Sequence, residues 1–306
     1  MDLVNHLTDR LLFAVPKKGR LHEKCCDLLN GSDIKFRRSN RLDIALSTNL
    51  PIALIFLPAA DIPIFVSEGN CDLGITGLDQ IKEAGMQDLI EDLLDLRFGT
   101  CKLQIQVPEN GGINDVKDLV GKRIVSSFIN LSSNYFKDLE GVEEHTQLQT
   151  KMKYVGGSVE ASCALGVADA IVDLVESGET MRAAGLKAIE TILSTSAHLI
   201  SSKKPRYPEL VQIVHQRIEG VLTAQKYVLC TYNAPRLILP KVLKITPGRR
   251  YPTVSKLELN NKEETSEEWL AISSMAERSA ISNIMDELKK IGASDIMVFD
   301  IGNCRT

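Results

Sequence analysis

No apolar run in these 306 residues approaches the ~20 that a membrane-crossing helix needs. The chain opens without the basic-then-apolar stretch of a secretory signal. Its seven cysteines contain no Cys-x-x-Cys pair, and its five histidines (6, 22, 145, 198, 215) show no grouping at metal-ligand spacing. An odd number of cysteines, two of them (Cys25 and Cys26) adjacent, reads as reduced, mostly buried thiols; the expected compartment is cytoplasmic. A net charge of −4 argues against bulk attraction to nucleic acid or to an anionic membrane. Internal repeats, low-complexity tails and any nucleophile triad are also missing. Positive charge is clustered locally instead: Lys17, Lys18 and Arg20; Arg37, Arg38 and Arg41; Lys122 and Arg123; Lys203, Lys204 and Arg206; Arg249 and Arg250.

The length allows two or three domains with cores of their own. Short apolar runs (Leu11–Val15, Pro51–Leu57, Cys71–Thr76, Lys102–Val107, Lys122–Ser127, Asp169–Val175) alternate with helical segments. That alternation predicts an α/β protein with mostly parallel, doubly wound sheets. A crossover near Phe98–Cys101 leads into a second lobe, and the chain is expected to return to the first after Gly185. From Tyr227 the order becomes β-α-β-β-α-β, a ferredoxin-like α+β unit, with a polar, acidic hairpin loop at Asn260–Glu268. The predicted domains are residues 1–100 with 190–225, residues 101–189, and residues 226–306.

The most informative stretch is Val155–Met181. Gly156 and Gly157 form a turn, and Ser158 is placed to cap a helix with Glu160 in its first turn. Asp169–Val175 is nearly all apolar, as in a strand buried on both faces. It runs into Glu176-Ser177-Gly178-Glu179-Thr180 and a second helix. A strand–turn–helix of this kind presents unpaired backbone N–H groups to an anion. Gly178 permits close approach of backbone to ligand, Ser177 and Thr180 add hydroxyl donors, and the carboxylate of Asp173 suits sugar hydroxyls or a metal. An ordinary capped loop accounts for the turn alone equally well. The basic turn Pro16–Leu21 before a helix poses the same pair of alternatives.

Spacing adds what the turn lacks. Glu160, Gly166, Ala168, Ile171, Asp173, Leu174, Ser177, Gly178, Thr180 and Met181 together resemble the signature of the ATP phosphoribosyltransferases, and the resemblance extends over nearly the whole chain. It implies a two-lobed body similar to type II periplasmic binding proteins. It also implies ATP and phosphoribosyl pyrophosphate as substrates, joined through adenine N1 and ribose C1 with release of pyrophosphate, and Mg2+ as cofactor. Asp173 and Glu160 are the implied catalytic residues. Leu174, Ser177, Gly178, Glu179 and Thr180 would hold the ribose donor, and Gly157 and Ser158 belong to a second binding turn. Asp169 is open between a substrate role and a structural one. Lys17-Lys18-Gly19-Arg20-Leu21 is similar to the family's nucleotide segment, so Arg20 and Leu21 would touch ATP, with Arg41 and Asp72 on the same side.

The C-terminal unit resembles the regulatory domain of the long-form enzymes through Thr246-Pro247-Gly248, Pro252-Thr253-Val254 and Gly292-Ala293-Ser294-Asp295. That implies a hexamer built from dimers and feedback inhibition by histidine, bound near Thr253, Met275 and Asp295. A purely oligomerising domain is the other reading. Two further functions compete for the body: a non-catalytic solute-binding protein, since fold does not determine function, and a phosphoribosyltransferase acting on another base.

Overall fold

A computed structural model describes residues 7–38, 42–143, 147–258 and 268–305. The chain divides into two compact units, Met1–Asp27 with Ile34–His215, and Leu28–Asp33 with Gln216–Thr306.

The first unit begins with β1 (Leu11–Pro16), α1 (His22–Gly31), β2 (Ile44–Leu46), β3 (Ile52–Leu57), α2 (Ile62–Ser67), β4 (Leu73–Gly77), α3 (Leu78–Glu83) and β5 (Ile90–Asp95). It continues with β6 (Cys101–Pro108), β7 (Arg123–Ser126), α4 (Ile129–Glu140), β8 (Lys151–Tyr154), α5 (Ala161–Ala164), β9 (Ala170–Val175), α6 (Glu179–Ala183), β10 (Leu186–Thr195) and β11 (Ala197–Ser202). The helix α7 (Pro208–Lys226) then leaves it.

These strands form two sheets, β2-β3-β1-β4-β11-β5 and β10-β6-β9-β7-β8. Both share one plan. Three parallel strands (β3, β1, β4 in one; β8, β7, β9 in the other) are followed by an antiparallel strand (β11 or β6) and then an outer strand antiparallel to that. In each sheet the antiparallel strand is the one delivered by a crossing from the other lobe. This is the two-lobed architecture of type II periplasmic binding proteins, a structural duplication with no visible repeat in the sequence.

The sheets are therefore mixed, whereas the alternation of strands and helices predicted mostly parallel ones. A crossing reverses the direction in which the chain enters the next sheet, and local periodicity carries no trace of that. The strand β10 also stays in the second sheet to Thr195, past the boundary expected at 189/190, and β5, whose sequence Ile-Glu-Asp-Leu-Leu-Asp is half acidic, was not anticipated. The helix expected to run from Ser158 to Ala168 is only Ala161–Ala164. Ser158 caps nothing: it adopts φ 52° in the preceding turn.

Core positions follow the apolar runs. Leu11, Phe13, Ala14 and Val15 on β1, and Ala170, Ile171 and Val172 on β9, are buried, as strands covered on both faces require. Among the described histidines, His198 on β11 has a carboxylate partner: Asp92 on β5, 2.9 Å from Nδ1. The hydrogen bond to Asp92 raises the imidazole pKa; burial opposes it, Asp92 and Asp95 add attraction and Lys82 subtracts. A raised folded pKa means that the stabilisation is complete below the unfolded value near ~6.5 and is lost as pH rises through the folded value. The melting-temperature difference between wild type and His198→Gln is accordingly expected to be largest near pH ~6 and to shrink toward pH ~8. A difference independent of pH would assign His198 to packing alone.

The second unit contains β12 (Tyr227–Pro235), α8 (Leu239–Ile245), β13 (Thr253–Lys256), β14 (Trp269–Glu277), α9 (Ile281–Lys290) and β15 (Ser294–Asp300). Its sheet runs β13-β14-β12-β15 and each of its strand pairs is antiparallel, the ferredoxin-like order. Burial alternates residue by residue along β12 and β14, so one face carries the core of Val228, Cys230, Tyr232, Leu270 and Ile272. Tyr232 satisfies its buried hydroxyl on Thr246 Oγ1 at 2.6 Å.

Candidate active site

The carboxyl ends of β1, β4 and β9 deliver three turns to one cleft in the first unit. After β9 the chain turns through Glu176, Ser177 and Gly178 into α6. Gly178 has φ 76°, in the left-handed region, and is the first residue outside the helix. The Glu179 N–H donates weakly to Ser177 Oγ (3.4 Å), and Arg182 Nη2 donates to the Ser177 carbonyl (3.2 Å). A cation therefore stands beside the turn, a residue that sequence reasoning did not single out.

This turn walls a cavity of about 280 Å³ together with Asp173, Leu174, Glu160, Gln106 and Arg20. A neighbouring cavity of about 180 Å³ is walled by Lys18, Arg20, Leu21, Gly77, Asp79 and Leu174, among others. Arg20 and Leu174 belong to both walls. The site thus has two halves: one under the anion-binding turn, the other against the basic turn after β1.

Asp173 accepts the Leu174 N–H at 2.8 Å. Burial pushes its pKa above the ordinary carboxylate value, the Leu174 N–H pulls it back, and the negative charge of Glu160 pushes it further up. Arg20 donates from Nη1 to the Gly99 carbonyl at 2.7 Å, and its Nη2 lies 3.9 Å from Asp79 Oδ1. Asp79 is 1% exposed.

The cleft thus brings together Asp173, Glu160, Leu174, Ser177, Gly178, Glu179, Thr180, Arg20 and Leu21. Gly157 and Ser158 are exposed in the turn after β8 and do not wall either cavity. Arg41 lies outside the described residues.

The substrate role expected of Asp72 is corrected, and of the two roles left open for Asp169 the structure favours the structural one. Asp72 is 1% exposed and already committed: it accepts the N–H groups of Leu12 (2.8 Å) and Arg206 (2.7 Å) and pairs with the Arg206 guanidinium at 2.9 Å. Asp169 accepts from the Arg123 backbone and guanidinium at 2.8–3.1 Å, which holds its pKa down to about 2. Each precedes its strand, so each sits at the amino end, opposite the ligand turns.

Asp79 is the principal residue missed. Its signal was an acid two residues after the Gly77 turn, which reads equally well as an ordinary charge in the first turn of a helix.

Comparison with known proteins decides what this cleft belongs to. The ATP phosphoribosyltransferase family model matches residues 58–220, and the HisG C-terminal domain model matches residues 224–303. The chain belongs to the ATP phosphoribosyltransferase family. Proteins carrying the family name include one from Debaryomyces hansenii, 75% identical over 305 residues, and one from Saccharomyces cerevisiae, 60% identical over 306 residues; all of each chain is covered. Among solved structures, the ATP phosphoribosyl transferase (HisG:HisZ) complex from Thermotoga maritima matches with a TM-score of 0.58 and 23% identity, over 68% of this chain and 96% of that one. That likeness is one of fold. The residues Asp173, Leu174, Ser177, Gly178 and Thr180, which carry the resemblance to the family signature, are all in the wall of the 280 Å³ cavity, as is Glu160.

In the second unit, Thr253 and Met275 wall a cavity of about 330 Å³ with Arg249, Arg250, Tyr251 and Arg305. Asp295 is not among its wall residues. It lies on β15, the edge strand opposite β13, where Asn233 Nδ2 and Ser294 Oγ donate to it. Within one chain the expected histidine trio is therefore not assembled.

Among the described residues, no helix is long and apolar enough to cross a membrane.

Proposed function

We infer that this chain transfers the phosphoribosyl group of phosphoribosyl pyrophosphate to N1 of the adenine of ATP, releasing pyrophosphate, as the first step of histidine biosynthesis. The observation that carries the reading is the pair of cavities sharing Arg20 and Leu174, one of them closed by the Ser177–Thr180 anion turn. In this assignment the turn holds the 5-phosphate of the donor and Asp173 its ribose hydroxyls. Arg20, with Leu21, meets the nucleotide.

Adenine N1 is already a neutral nucleophile, so the reaction needs alignment more than proton transfer. The N1–C1 bond forms as the C1–O bond to pyrophosphate breaks, and both electrons of the latter leave with pyrophosphate. The carboxylates of Asp173 and Glu160 lower the energy of positive charge on the ribose as that bond lengthens.

Among the described residues, no three His, Cys, Asp or Glu side chains converge as a metal cage. Magnesium commonly takes one or two carboxylates together with substrate phosphates, so this donor set fits it. Asp173 and Glu160 are the carboxylates of the cleft that would hold it, and the ion would neutralise pyrophosphate charge. A biosynthetic role of this kind suits a cytoplasmic enzyme.

The second unit is assigned regulation and assembly. Thr253 and Met275 mark the histidine cavity, with Arg249 and Arg250 available to a carboxylate; Asp295 would join only from another subunit. Met297 and Phe299, each about half exposed (50% and 51%) on β15, suit a buried subunit face in a homo-oligomer, with a hexamer as the expected size.

Incubation with ATP, phosphoribosyl pyrophosphate and Mg2+, followed by ultraviolet absorbance and pyrophosphate release, tests the activity. Silence with ATP but turnover with a free base would overturn the assignment of substrate. In the same assay, histidine is expected to inhibit the wild type and to lose its effect in Thr253→Trp, which fills the cavity. Unchanged inhibition in a folded Thr253→Trp protein excludes the cavity, and no inhibition of the wild type rejects regulation.

A further inference from the structure

The two crossings between the lobes meet at the base of the nucleotide half of the cleft. The first runs from β5 to β6 and contains Gly99; the second is Ser196, between Thr195 at the end of β10 and Ala197 at the start of β11. They are bonded to one another, the Ala197 N–H donating to the Phe98 carbonyl at 2.9 Å, and the Leu78 N–H at the start of α3 donates to the Ser196 carbonyl at 3.0 Å.

Thr195 is 4% exposed and its hydroxyl is used twice by one residue. It donates to Asp79 Oδ1 at 2.8 Å and accepts the Asp79 N–H at 3.0 Å. The other carboxylate oxygen, Oδ2, accepts Gln80 Nε2 at 3.0 Å. The same Oδ1 faces Arg20 Nη2 at 3.9 Å, while Arg20 Nη1 is fixed on the Gly99 carbonyl at 2.7 Å. Gly77 makes room for this arrangement: a Cβ there would lie 2.2 Å from Asp79 Oδ1, so any other residue would drive the carboxylate away from Thr195. Arg20 is thus held from both crossings, directly by the first and through Asp79 by the second.

We propose that Asp79 and Thr195 are positioning residues for Arg20, carrying the geometry of the two interlobe crossings to the guanidinium that meets the nucleotide. The proposal rests on the reading of Arg20 as a nucleotide contact. A carboxylate in the first turn of α3 also complements the helix dipole. That role alone contributes to stability without distinguishing one substrate from the other, and the test turns on this difference.

Thr195→Val keeps the shape of the side chain and removes the hydroxyl. It is expected to raise the KM for ATP about tenfold, the range of one hydrogen bond to a charged group, with little change in the KM for phosphoribosyl pyrophosphate. Thr195→Ser is expected to restore it. In an Arg20→Ala background, Thr195→Val is expected to add nothing further, because the group it positions is gone. Asp79→Asn, read the same way, serves should Thr195→Val not fold. If Arg20→Ala raises the ATP KM but Thr195→Val acts identically in both backgrounds, or moves both KM values together, positioning is overturned alone. If Arg20→Ala leaves the ATP KM unchanged, the nucleotide reading falls and the proposal with it.

Discussion

Gly178→Val is expected to all but abolish binding of the ribose donor while leaving the two sheets folded. Gly178 sits at φ 76°, where a β-branched side chain is an outlier. The strain is in the backbone: the one close contact of a Cβ there would be the tip of the Arg182 side chain, at 2.7 Å, which can move away, with Met181 Cε at an ordinary 3.6 Å. A left-handed conformation costs an L-residue about 1–2 kcal/mol, and the turn can escape that cost by opening, which disperses the N–H groups aimed at the phosphate. Thr180→Ala and Ser177→Ala leave the turn in place and remove one hydroxyl each. Each should weaken donor binding by about 1.5–3 kcal/mol, the range for a hydrogen bond to a charged group. Asp173→Asn should act differently, lowering turnover more than nucleotide affinity. Calorimetric titration of phosphoribosyl pyrophosphate separates these cases, and donor affinity unchanged in a folded Thr180→Ala protein rejects the phosphate assignment.

Arg20→Ala is expected to raise the KM for ATP far more than the KM for the ribose donor. Arg20 lines both halves of the cleft, so selectivity is not automatic. It follows from the placement of the guanidinium, bonded to the Gly99 carbonyl and facing Asp79, a wall residue of the smaller cavity. Arg20→Lys should rescue poorly. A planar fork can serve the Gly99 carbonyl and a second acceptor at once, whereas an ammonium is a single point charge. Steady-state kinetics with each substrate varied in turn checks this, and equal loss for both substrates would reduce Arg20 to general electrostatics.

Much of the scaffold was legible because burial on both faces leaves an unbroken apolar run. Leu11–Pro16, Ile52–Leu57 and Ala170–Val175 are of this kind. The ferredoxin-like unit was legible for the complementary reason: one buried face imposes strict alternation on β12 and β14. The turn from Ser177 to Thr180 was legible because its chemistry is local. Asp72 was misplaced, and Asp169 left open, although a local signal existed. Both precede their strands, and in parallel strands ligands gather at the carboxyl ends. β5 was missed because an outer strand needs few apolar residues, and only Ile90 on it is buried.

The sequence by itself determined most of the strands and helices, the anion turn and the ten-residue pattern that resembles the family signature. Each of these depends on residues a few positions apart, whose burial and backbone preferences do not wait for the rest of the chain. Tertiary structure alone decided that both sheets of the first unit are mixed, that the two lobes share one plan, and that Asp79 meets Thr195 across 116 residues of chain. Those outcomes depend on where the two crossings bring distant segments together, and a hydrogen bond between distant residues leaves no periodicity along the chain.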